Sequence, residues 1–60
     1  MWTPERIQNL LDHLNWSKAQ LARAIGTSPG RIAHWLNGNN PNRSFQIALD
    51  HVAEKYNFGK

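Results

Sequence analysis

The chain contains no cysteine, which removes disulfides and thiolate metal sites and fits a reducing compartment. Acidic residues are scarce and sit near the two ends: Glu5, Asp12, Asp50 and Glu54. No carboxylate side chain lies between His13 and Leu49. Strand signals are missing too, because β-branched residues are few and never alternate over a useful length. No apolar run approaches a membrane span, and nothing at Met1 resembles a signal peptide, so a soluble, intracellular protein is expected. There is no G-x-x-x-x-G-K phosphate loop, no nucleophile elbow and no inward pair of carboxylates. His13, His34 and His51 fall in three different predicted helices without H-x-x-x-H spacing, so no metal is expected. Sixty helical residues also leave little room for a small-molecule cavity. These absences predict a protein that is not an enzyme and takes no cofactor.

What is present is apolar and basic. Apolar residues make up 40% of the chain and include three Trp, enough to drive folding rather than disorder. A chain this short hides only about 60% of the surface its unfolded form exposes. Without disulfides or metal, packed helices and a partner subunit are left as sources of stability. The net charge is +3, and Lys18, Arg23, Arg31 and Arg43 all fall inside the acid-free stretch. That pattern fits either a polyanion partner or a merely solvated basic face. The initial Met is what a complete small gene product would carry.

Four helices are predicted. Thr3-Pro4-Glu5 is a start signal, with Thr3 as N-cap and Pro4 where its missing N–H costs nothing. Ile7, Leu10, Leu11 and Leu14 then form one apolar stripe, which Asn15 ends. Ser17 and Gln20 make an S-x-x-Q capping box for a short second helix, with Trp16 and Leu21 placed as its hydrophobic staple. Leu21, Ala22 and Ile25 face inward, and Gly26 supplies a left-handed exit. Ser28-Pro29 repeats the cap-then-proline signal. Ile32, Trp35 and Leu36 form the inner stripe of the third helix, and Asn37-Gly38 stops it. The last helix is expected from about Arg43 to Tyr56, with Phe45, Leu49, Val52 and Tyr56 on one face. Phe58 and Lys60 are expected to fray. The fold class is therefore all-α, a compact four- to five-helix bundle, with residues 1–60 as one domain.

Two short helices joined at a glycine form a helix-turn-helix unit, here about residues 17–37. Ala22 is small where the helices cross, Gly26 takes the turn, and Thr27, Ile32 and Trp35 point inward. Ser28, Pro29, Gly30, Arg31, Ala33, His34 and Asn37 are left on the outer face. Arg31 stands at the exposed start of the third helix, where a guanidinium can reach guanine O6 and N7 with two bonds or neutralise a phosphate. His34, one turn on, can donate to a base or a phosphate, or can be a surface bystander. Gly30 lets backbone come close to a sugar-phosphate or a thymine methyl.

The run from Trp16 to Ser28, followed by Ile32, Trp35, Asn37, Gly38 and Pro41, resembles the Cro/phage-repressor (XRE-like) helix-turn-helix family over residues 5 to about 53. The brevity of the chain and its Ser44–Leu49 segment also resemble small repressors encoded beside anti-CRISPR genes. The resemblance implies a lambda-repressor-like domain whose third helix enters the major groove of double-stranded DNA while the second crosses the backbone. It carries base-reading positions onto Ser28, Pro29, Gly30 and His34. Pro29 and Gly30 depart from the family pattern by lacking side-chain donors, so direct readout leans on Arg31, His34 and Ser28. Phosphate contacts are expected from Ser17, Lys18, Gln20, Asn37, Asn39 and Arg43, at helix ends and the following loop. Asn40 and Asn42 read as turn chemistry.

The implied protein is a transcriptional repressor in the cytoplasm of a bacterial or phage-infected cell, acting as a homodimer on an inverted-repeat operator. Ile47 falls off the inner face of the last helix, which marks that helix as a candidate dimer surface. Trp2 is expected to cover the end of the core, with a subunit contact as its other reading. The rival function is a protein-interaction module, antirepressor or antitoxin-like, that keeps the fold without binding DNA. The acid-free middle of the chain speaks against it.

Overall fold

Thr3 stands extended, and its Oγ1 accepts from the backbone N–H of Arg6 across 3.2 Å, opening α1 (Pro4–Leu14). The computed structural model describes residues 1–59, and its other helices start the same way. Ser17 Oγ accepts from Gln20 N while Gln20 Oε1 accepts from Ser17 N, the reciprocal capping box of α2 (Lys18–Ile25). Ser28 Oγ caps the Arg31 N–H of α3 (Pro29–Leu36), and Asn42 Oδ1 caps the Phe45 N–H of α4 (Arg43–Lys55). Each cap satisfies a donor that has no partner within its own helix. The described residues contain these four helices and no strand.

The helices stop where backbone geometry forces them to. Asn15 turns left-handed after α1, at φ 56°, and Trp16 N donates back to Leu11 O. Gly26 does the same after α2 at φ 81°, and both its N–H and that of Thr27 reach Ala22 O. A side chain at Gly26 would meet no steric obstacle, so it is the backbone angle that favours glycine there.

α3 packs on both α2 and α1, and α4 packs on α2. Ile7, Leu10 and Leu11 of α1, Leu21 and Ala22 of α2, Ile32 and Trp35 of α3, and Leu49, Val52 and Ala53 of α4 form the core together with Trp2. Burying one large aliphatic side chain stabilises by about 1.5–3 kcal/mol. A handful of them must therefore outweigh the ordering of short helices that would not persist alone. No polar or charged residue is buried among the described residues, so the core depends on apolar packing and not on an internal polar network. Leu14, Trp16, Ile25, Leu36 and Phe45 flank it half-buried.

At the two ends of the chain, Trp2 covers the end of the core as expected, while the C-terminal residues depart from the pattern of the sequence. Trp2 is 1% exposed, and its indole donates to Asp50 Oδ1. Phe58, expected to fray, folds back instead: Asn57 turns left-handed and Phe58 N donates to Ala53 O. The Phe58 ring then stacks on Trp2 at 5.9 Å and meets His13 edge-on at 5.4 Å. His13 Nε2 donates to the Tyr56 carbonyl, and the Arg6 guanidinium lies 4.1 Å from the Trp2 ring centre. Tyr56, expected on the inner face of the last helix, lies one residue past its end and is exposed, edge-on to Trp16. Lys60, the other residue expected to fray, lies outside the described residues.

Candidate nucleic-acid interface

The cap-and-proline start of α3 decides what faces outward. With Ser28 as N-cap and Pro29 in the first turn, Ile32 and Trp35 turn into the core. Ser28, Pro29, Gly30, Arg31 and His34 are left exposed on the other side. Ser28, Arg31 and His34 line one open concavity of about 410 Å³ with Trp35 at its edge. Three of the five expected base-reading residues thus share a single surface. Gly30 adds no bulk there, and a Cβ at that position would meet nothing within 4 Å. Eight helical residues make α3, roughly 12 Å of helix, comparable with a major groove about 12 Å wide.

The expected phosphate-contacting residues sit at helix ends. Ser17, Lys18 and Gln20 form the N-cap and first turn of α2, all exposed. Capping engages the Ser17 Oγ lone pair and the Gln20 carbonyl, which leaves the hydroxyl proton, the Gln20 amide protons and the Lys18 ammonium to donate outward. Asn37 is the exposed C-cap of α3. Asn39 Nδ2 donates to His34 O across 3.1 Å, fastening the loop to the end of α3. Arg43 opens α4, exposed, beside the Asn42 cap.

No acidic residue stands in the first turn of α2, α3 or α4, whereas α1 carries Glu5 there. Helix N-termini carry partial positive charge and favour carboxylates in the first turn. Three of them left without one keep their positive ends available to an external anion.

A helix-turn-helix domain family matches residues 5–59. The chain belongs to that family. Its helix-turn-helix unit is α2, the Gly26 turn and α3, and the all-helical fold agrees with an XRE-like regulator. No curated protein and no solved structure matches the chain significantly.

Sequence reasoning missed two features at the start of α4, beside the helix-turn-helix unit. Asn42, read as turn chemistry, is the N-cap of α4, a role that its place before Arg43 could have signalled. Phe45, read only as an inner-face residue, holds its ring 5.7 Å from the Arg31 guanidinium carbon while leaning on Trp35 at 5.3 Å. Nothing in the spacing of residues so far apart in the chain announces that contact.

Proposed function

We propose that residues 1–60 act as a single helix-turn-helix domain, a sequence-specific DNA-binding repressor with α3 in the major groove. The observation that carries this reading is the surface of α3, where Ser28, Arg31 and His34 face one concavity within a stretch of chain without carboxylates. Family membership supports it, and so do the three helix N-termini that lack an acidic first turn. In this reading Arg31, His34 and Ser28 read bases, and Pro29 and Gly30 bring backbone close to the duplex. Ser17, Lys18, Gln20, Asn37, Asn39 and Arg43 hold phosphates and set the register.

The repressor works in the bacterial cytoplasm as a homodimer on an inverted repeat. It sets two copies of α3 one helical turn, about 34 Å, apart and excludes polymerase from an overlapping promoter. Ile47, 48% exposed on α4 while Leu49 and Val52 are buried, supports that helix as the dimer surface.

Fluorescence anisotropy against DNA from upstream of its own gene and a shuffled duplex, at several salt concentrations, tests the proposal. Preference for the upstream duplex, falling steeply with salt, supports a specific regulator. Absence of binding to either duplex at low salt overturns it in favour of a protein-interaction module. Sedimentation of the free protein and its DNA complex reads the dimer.

A further inference from the structure

Arg31 is exposed at the start of α3, and a long side chain in that position samples many rotamers unless something holds it. Phe45 supplies a surface for it. Its ring is half-buried, braced on one side by Trp35 at 5.3 Å with an interplanar angle of 54°. The Arg31 guanidinium carbon lies 5.7 Å from the ring centre, within cation–π range. Trp35 is buried and belongs to the core, so the platform under Arg31 is anchored from the inside outward. The N-cap of α4 sets the first turn in which Phe45 stands, because Asn42 Oδ1 accepts directly from Phe45 N.

We propose that Phe45 is a positioning residue for DNA sequence readout: its ring presents the Arg31 guanidinium to the base pair that Arg31 reads, without touching DNA itself. The proposal rests on the DNA-binding reading above. The aromatic ring attracts the guanidinium through its π face and accepts no conventional hydrogen bond, so the five N–H donors of Arg31 are left for a base pair. Ordering the side chain before binding reduces what must be ordered on the duplex. The specificity of α3 is therefore set partly by α4, a helix outside the helix-turn-helix unit.

The test compares wild type, Phe45→Leu, Phe45→Tyr, Arg31→Ala and the Arg31→Ala/Phe45→Leu double variant. The probes are duplexes enriched by the wild type from a random library, their single-base variants and a scrambled duplex. Phe45→Leu should lose about two- to fivefold of discrimination at the base pair that Arg31→Ala relaxes. Affinity for scrambled DNA should stay unchanged, Phe45→Tyr should retain discrimination, and the double variant should match Arg31→Ala. In the free protein, the Arg31 side-chain protons should carry a ring-current shift in NMR spectra that Phe45→Leu abolishes and Phe45→Tyr keeps. Phe45→Met repeats the comparison should the leucine variant fail to fold.

Unchanged discrimination in folded Phe45→Leu, an equal loss on all duplexes, or a loss that persists in the Arg31→Ala background overturns the role of Phe45 alone. Failure of the wild type to enrich any sequence overturns the DNA-binding reading and the inference with it.

Discussion

Trp2 Nε1 donates to Asp50 Oδ1 across 2.7 Å, joining the second residue of the chain to the middle of α4. The bond gives the buried indole its one polar partner and explains why so large a side chain can be 1% exposed beside a carboxylate. A single hydrogen bond thus closes the open end of the core.

Asp50→Ala should destabilise the domain by about 1.5 kcal/mol, the lower end for a charged hydrogen bond because Asp50 itself is exposed. In a domain of this size that is a fall in Tm of roughly 6–12 °C. Circular dichroism melts would check it. An unchanged Tm would mean that the indole finds another acceptor, or water, in the variant.

Gly30→Ala should separate stability from binding. Position 30 is helical, and its Cβ would stand in open space, so alanine should stabilise α3 by about 0.4–1 kcal/mol. The same methyl would stand off the duplex where backbone is expected to approach, and affinity should fall. A rise in Tm together with weaker anisotropy binding is the expected pair of results. A variant that binds as well as wild type would remove close approach at Gly30 from the mechanism.

Arg31→Ala and Lys18→Ala should fail differently. Loss of Arg31 should cost about 1–3 kcal/mol of discrimination at one base pair. Loss of Lys18 should weaken all duplexes alike and lower the salt slope by about one. Titrations of specific and scrambled DNA across a salt series distinguish the two outcomes.

Ser17→Ala should cost about 1 kcal/mol of stability, since it removes the Oγ that accepts from Gln20 N at the start of α2 while leaving the Ser17 N–H to Gln20 Oε1 bond in place. A melt in the absence of DNA reads this effect apart from any phosphate contact the hydroxyl makes.

The helices were legible because their boundaries are local. Thr3-Pro4, Ser17 with Gln20, and Ser28-Pro29 each fix a helix start within four residues, and the structure uses all three as caps. Asn15 and Gly26 stop helices through their own backbone angles, which are also a local property. The composition of the α3 surface followed from the same logic, since placing Ile32 and Trp35 inward leaves Arg31 and His34 outside. Contacts that depend on chain closure were not legible. Periodicity carried the last helix on to Tyr56, but the backbone turns at Asn57 and draws Phe58 onto Trp2. The contact between Phe45 and Arg31 likewise depends on how α4 docks, which no pattern along the chain encodes.

The stack of Phe58 on Trp2 also bears on the order of folding. It closes a loop of nearly the whole chain, and the entropic cost of closure grows with the length of the loop. The α2–α3 pair, by contrast, is adjacent in sequence and needs only the Gly26 turn. Local contacts form quickly and distant ones late. The two helices of the helix-turn-helix unit are thus expected to associate before the ends meet, and reversal should begin with release of Phe58. Hydrogen exchange would then find the amides of Asn57 and Phe58 opening well before those in the middle of α2.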